Sequence, residues 1–150
     1  MNIWIDGDAC PVRIRELIFK AALRTKTLVT LVANKGIYLP RSDYIRFALV
    51  DSKFDAADHY IIKQSEKNDL VISSDILLAS ALVDKGVVVI SSTGKLYNKE
   101  NVKEAVAMRN LFQELREGQI IKGGPGPLSD KDIMQFANIF DRELNRLLRL

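Results

Sequence analysis

The stretch Met1-Asn2-Ile3-Trp4-Ile5-Asp6-Gly7-Asp8-Ala9-Cys10-Pro11-Val12 decides the fold. Three consecutive apolar residues, 3–5, stop at an acid, and so short a run with no polar face reads as a strand buried on both sides. Asp6 and Asp8 follow at once. Pro11 then suits the first turn of a helix, where its missing N–H is not needed. Ile14, Leu17, Ile18, Ala21 and Ala22 recur at helical spacing, with Arg13, Arg15, Glu16, Lys20 and Arg24 on the other side. A buried strand running straight into an amphipathic helix opens a βα unit.

The pattern repeats downstream. Strands are expected at 28–32, which ends at Asn34-Lys35-Gly36, and at 46–50, 70–72 and 87–90. Helices are expected at 55–66, at 76–84 with Gly86 as its stop, and at 101–117. Thr93-Gly94 reads as a turn, and Lys122-Gly123-Gly124-Pro125-Gly126-Pro127 as a loop. Ser129 and Asp132 resemble a capping pair opening a last helix, whose stripe is Ile133, Phe136, Ala137, Phe140, Leu144 and Leu147. The expectation is one α/β domain over 1–150. It has three layers, α/β/α, around a mainly parallel sheet, with a C-terminal helix of about 129–149 on the core.

Composition narrows the chemistry. The 150 residues are 47% hydrophobic and 27% charged, the profile of a chain that builds its own core. One cysteine, Cys10, excludes an internal disulfide and a multi-thiolate zinc site; one histidine, His59, excludes sites needing two imidazoles. No apolar run is long enough to span a bilayer, and the N-terminus lacks the basic and apolar regions of a secretory signal. A cytoplasmic location without membrane contact is the expectation. The formal charge of +3 hides a pattern: residues 11–53 hold nine Lys or Arg against three acids, and 54–86 hold six acids against three bases. A basic segment beside an acidic one suits a polyanion next to a metal centre, or simply a mixed surface.

In open parallel sheets, ligands bind beyond the carboxyl ends of the strands. Asp6 and Asp8 follow the first strand there, and Ser73, Ser74 and Asp75 follow the strand at 70–72. Asp55 and Asp58, three apart at the start of their helix, share a face at the same edge. Five carboxylates from three segments can thus converge. Asp69 precedes its strand and reads as a turn residue at the opposite end. Clustered carboxylates repel, by about 4 kcal/mol per pair at 4 Å and an effective dielectric near 20, and call for protons, basic partners or a divalent cation. With so few imidazoles and thiolates, Mg2+ or Mn2+ is favoured over zinc, and such an ion serves phosphodiester hydrolysis. Each acid also has a structural use. Asp8 can cap the helix near Pro11, Asp55 and Asp58 can oppose a helix dipole, and Asp75 can be an N-cap. Asp6, at the end of a buried strand, most needs a partner.

Other residues bear on a ligand. Arg109 lies on the apolar stripe of its helix and either pairs with a buried acid or reaches a phosphate. Ser73 and Ser74 can donate to phosphate or carboxylate, or satisfy backbone. Arg13 and Lys35 can contact a nucleic-acid backbone, and the 123–126 loop offers backbone N–H groups. Cys10 reads as a small packed residue before a nucleophile, and His59 as a surface residue before a ligand.

As a set, Asp6-Gly7-Asp8-Ala9-Cys10-Pro11-Val12, Asp55-Ala56-Ala57-Asp58-His59-Tyr60-Ile61 and 69–79 resemble the blocks of the bacterial YaiI/YqxD family. Gly94-Lys95-Leu96-Tyr97, Met108-Arg109 and Gly123-Gly124-Pro125 continue the likeness in order. Gly7 stands where that family usually has Ala, and Ser73-Ser74 where Thr-Ala is common. The family is similar to PIN-like domains, whose related members are Mg2+- or Mn2+-dependent nucleases acting on RNA or DNA. The resemblance implies a PIN-like fold, with Asp6, Asp58 and Asp75 as metal ligands and catalytic acids and Asp8 and Asp55 in support. The expected activity is metal-assisted hydrolysis of nucleic acid, RNA before DNA, with a homodimer as a further partner state. Two rivals stand beside it. One is a haloacid-dehalogenase-like phosphohydrolase with Asp6 as nucleophile, against which Cys10 stands where that motif has Thr. The other is a non-catalytic nucleic-acid-binding module.

Overall fold

The computed structural model describes residues 1–119 and 126–150, so the Gly123-Gly124-Pro125 segment lies outside the described residues. In chain order the elements are β1 (Ile3–Asp6), α1 (Val12–Thr25), β2 (Val29–Ala33), β3 (Ile45–Leu49), α2 (Ala56–Gln64), β4 (Leu70–Ile72), α3 (Ile76–Asp84), β5 (Val88–Ile90), β6 (Leu96–Tyr97), α4 (Lys99–Glu117) and α5 (Asp130–Leu148). The sheet has six strands in the order β3-β2-β1-β4-β5-β6. All pair in parallel except β6, which runs antiparallel to β5.

The period of two along each strand separates the two outer layers. Ile3, Ile5, Val29, Leu31, Leu70 and Ile72 point to one face, where α1 and α5 close over them. Trp4, Val32 and Val71 point to the other, beneath α2, α3 and α4. The result is a three-layer α/β/α fold. The apolar stripe of α5 is spent on this core, where Phe136, Phe140, Leu144 and Leu147 are buried and the two phenyl rings stack 5.4 Å apart. Ser129 and Asp132 cap that helix reciprocally: the Ser129 hydroxyl accepts from the Asp132 N–H, and the Asp132 carboxylate from the Ser129 N–H. Gly86, at φ +86°, follows α3 as its stop.

The strand order turns on β1. The chain moves outward from β1 to β2 and β3 on one side, then returns to lay β4 and β5 on the other. This reversal opens a crevice beyond the carboxyl ends of β1 and β4. At the opposite ends of the same two strands, Asp69 is more than the turn residue expected from sequence. It is buried, and it accepts from the Asn2 N–H at 2.9 Å, the Trp4 indole N–H at 3.1 Å and the Glu66 N–H at 2.9 Å. One carboxylate thus clamps β1 to the entry of β4.

The short strand β6 has too few residues for its alternation to be read in sequence. Its turn passes against α5: at Gly94, φ +86°, a Cβ would lie 2.6 Å from the Phe136 backbone nitrogen. Only glycine accepts both that φ and that approach. Among the described residues, no helix is long and apolar enough to cross a membrane.

Substituting Asp69 by Ala strands three N–H donors, one of them on a buried indole, and is expected to cost about 3 kcal/mol. At roughly 2–4 °C per kcal/mol for a chain of this size, the melting temperature falls by about 6–12 °C, readable by circular dichroism.

Candidate active site

Asp6 ends β1 and is half-buried. The Ser73 hydroxyl, from the loop after β4, donates to its Oδ2 at 3.1 Å and accepts the Asp75 N–H at 3.0 Å. Ser73 therefore ties the two acid-bearing loops together. It is buried beneath the site, which corrects its expected part in substrate contact. Asp75 is the N-cap of α3, with Oδ1 accepting from the N–H groups of Leu77 and Leu78 at 3.0 and 3.2 Å. Its Oδ2 receives no backbone donor.

Asp58 comes from α2. One turn further along the same face, Ile61 is fully buried, and Tyr60 meets Trp4 edge-on with ring centroids 6.3 Å apart. These two residues seat the helix over β1 and turn Asp58 towards Asp6 and Asp75. Asp55, the N-cap position of α2, makes no capping bond and adopts φ 64°, a left-handed conformation uncommon outside glycine. Strain of this kind costs on the order of 1 kcal/mol or more and is often found at functional sites.

Two adjoining cavities meet at these residues. The larger, about 710 Å3, is lined by Asp6, Asp55, Asp58 and Asp75, with Ile62, Ile76 and Leu78 among its apolar residues, and by Arg109 and Arg116 from α4. The smaller, about 280 Å3, shares Asp6, Phe54, Asp55 and Asp58 with it and adds Asp8 and Asp51. The five expected acids thus divide between the two. Asp8 does not cap α1, whose N-cap is Pro11 without a side-chain bond. Its carboxylate instead accepts the Asn34 N–H at 3.1 Å and fastens the β1 loop to the end of β2.

The electrostatics are those of an uncompensated acid cluster. Burial, with the neighbouring Asp75, Asp6 and Asp55 carboxyls, pushes Asp58 up to about 7, and its protonated form hydrogen-bonds Asp75. Asp6 is also raised, first by burial and then by the charges of Asp75 and Asp8, against the lowering effect of the Ser73 hydroxyl. Protonation of Asp58 relieves part of the repulsion among these carboxyls. Among the described residues, no group of three or more His, Cys, Asp or Glu side chains is arranged to hold a metal ion as it stands.

The remaining candidates separate cleanly. Ser74 and His59 are exposed and line the larger cavity. Arg109 also lines it and pairs with no buried acid: its guanidinium donates to Asn110 and Gln113. Arg13 is exposed and paired with Asp130 at 3.1 Å, and neither it nor the exposed Lys35 lines either cavity. Burial pushes the Cys10 thiol up to about 12, which disfavours the thiolate. Sequence reasoning passed over Phe54, Asp51 and Arg116. The first two lie in the loop before α2, which has no periodicity to read. Arg116 follows Arg109 by seven residues, two helical turns, and that spacing was the available signal.

A doubly wound α/β protein with an acidic cavity at the carboxyl edge of its sheet is the class that fold and site define. Within that class the chain belongs to the family described as "Uncharacterized BCR, YaiI/YqxD family", which it matches over residues 4–146. It is 46% identical over 149 residues to a "UPF0178 protein" of Hydrogenovibrio crunogenus, covering 99% of each chain. A namesake in Colwellia psychrerythraea is 48% identical over 95% of this chain and 94% of its own. Another, in Myxococcus xanthus, is 44% identical over 99% of this chain and 97% of its own. No solved structure matches the chain.

Between the ordinary carboxylate value of 3.8 and about 7, the folded Asp58 holds a proton that the unfolded chain releases. Folding then takes up a proton, so this group's contribution to stability falls as pH rises through that window. Asp58→Asn removes the charge and is expected to raise the melting temperature at about pH 8 by roughly 2–4 °C, a value discounted for the group's partial exposure. Towards about pH 4 the difference from wild type closes.

Proposed function

We propose that the protein is a divalent-metal-dependent phosphodiesterase acting on nucleic acid, RNA ahead of DNA. The observation that carries this reading is a single cavity with carboxylates from β1, α2 and α3 and arginines from α4. Carboxylates suit a hard cation and guanidinium groups suit phosphate, so a phosphate-bearing ligand with a cation satisfies both.

The donor set fits Mg2+ or Mn2+, being all carboxylate oxygen. Asp58 and Asp75 would hold the ion, with Asp6 beside them. Mg2+ commonly takes one or two carboxylates and keeps waters, so a ready group of three is not required. When bound, the cation supplies Lewis-acid stabilisation and lowers the pKa of water. The chain's own residues do the positioning. Leu77 and Leu78 fix Asp75 through Oδ1, leaving Oδ2 towards the ion; Ser73 fixes Asp6 through Oδ2, leaving Oδ1. Arg109 and Arg116 add positive charge at the cavity's rim that draws in a polyanionic strand. The likeness to PIN-like domains supports the same reading of these acids.

Asparagine at position 75 keeps the cap acceptor while removing the charge, so the fold survives the substitution. Asp75→Asn and Asp6→Asn are each expected to lower Mn2+-dependent cleavage of single-stranded RNA by roughly 100-fold or more, as befits loss of several kcal/mol of charge stabilisation. Undiminished cleavage in either purified variant contradicts the assignment. A phosphoaspartate trapped on Asp6 would favour the phosphohydrolase reading, and RNA binding without Mn2+-stimulated cleavage the binding module.

A further inference from the structure

Arg109 and Arg116 stand seven residues apart on α4, two turns along one face and about 10 Å of helical rise. Both line the acidic cavity. Both also line a second hollow of about 570 Å3, shared with Lys95, Tyr97 and Phe112, which continues the first along α4. Among the described residues neither arginine is in an ion pair. Their hydrogen bonds go to neutral oxygens: Arg109 to the Asn110 and Gln113 side chains at 3.2 and 3.1 Å, Arg116 to the Phe112 carbonyl at 3.3 Å. Glu104 and Glu117 line the same surface, yet neither closes on an arginine, so both guanidinium groups keep donors for an anion. Exposed aromatic residues line the same hollows: Phe54, 93% exposed, on the acid side, and Phe112, 40% exposed, between the two arginines on α4.

We infer that Arg109 and Arg116 form a second phosphate subsite, which grips a phosphate of the strand other than the one at the acids. The ligand that fits is a single-stranded oligonucleotide. Its successive phosphates meet first the carboxylate end and then the guanidinium end, and its bases find exposed aromatic rings on which to stack. A mononucleotide offers one phosphate and engages one end only. Substrate preference is then set on α4, away from the acids. The inference rests on the phosphodiesterase reading for what happens at the acid end, but binding at the arginines is measurable without cleavage.

The test is competition anisotropy with the full-length protein in EDTA at low ionic strength, displacing a labelled tetranucleotide RNA with unlabelled mono-, di- and tetranucleotides. Wild type is expected to bind the tetranucleotide at least about 10-fold more tightly than the mononucleotide, the gain coming from the arginine subsite together with base stacking, since EDTA leaves the acid end without a cation. In the double variant Arg109→Gln/Arg116→Gln that gain is lost, and the slope of log affinity against log salt falls by about 0.7, the value for one neutralised phosphate of a single strand. Arg13→Gln, which lies outside the cavity, leaves both unchanged. Equal affinity and salt slope in wild type and the double variant would overturn the inference, as would a wild type indifferent to strand length. Arginine-dependent, length-dependent binding by a protein that shows no Mn2+-dependent cleavage would uphold the subsite and count against the phosphodiesterase reading alone.

Discussion

Repulsion among Asp6, Asp58 and Asp75 is the constraint around which the molecule is arranged. Three elements distant in the chain bring these carboxyls within electrostatic reach at the carboxyl edge of the sheet, and the protein alone balances them with a proton on Asp58. Asp69 makes the contrast. At the other end of the same two strands, that acid is buried more deeply, yet it receives three N–H donors and its charge is satisfied. The edge acids receive fewer. Asp6 has one hydroxyl, Asp75 has the N–H groups of its own helix, and Asp58 has only Asp75. One end of the sheet is closed by hydrogen bonds; at the other, burial and mutual repulsion raise Asp6 and Asp58.

The same residues serve fold and site together. Asp75 starts α3 and presents an oxygen to the cavity. Ser73 joins the β1 and β4 loops and fixes the orientation of Asp6. Asp8 contributes mainly by fastening its loop to Asn34. At Gly7, between the two acids, a Cβ would lie 2.9 Å from the Leu31 side chain, so the alanine usual in the family needs Leu31 to shift slightly. Each of Asp6, Asp8 and Asp75 is positioned by a short polar contact to backbone or hydroxyl.

Much of this was legible in the sequence, for local reasons. Unbroken apolar triplets such as Ile3-Trp4-Ile5 and Leu70-Val71-Ile72 mark strands covered on both faces, and an acid directly after such a strand must emerge at its carboxyl edge. The positions of Asp6, Asp58 and Asp75 follow from that rule and from helical spacing. What escaped depends on tertiary contact. Strand β6 exists through pairing with β5, and two residues show no period. Nothing local tells that Asp8 serves Asn34 rather than α1, or that Arg13 is drawn to Asp130 on α5. Phe54 and Asp51 sit in an irregular loop and acquire meaning only once α2 is folded over β1. Arg109 sits on the stripe, as its spacing says, but that stripe reaches the rim of a cavity rather than the core.

Calorimetric titration with Mn2+ at about pH 6.5, repeated in two buffers of different ionisation heat, probes the central claim most directly. If a shared proton holds the place of a cation, ion binding must expel it, because metal ligation and protonation compete for the same oxygens. The account predicts binding accompanied by release of a fraction of a proton approaching one, and loss of both in Asp75→Asn. Absence of Mn2+ binding, or binding with no proton released and no sensitivity to Asp75, would contradict it.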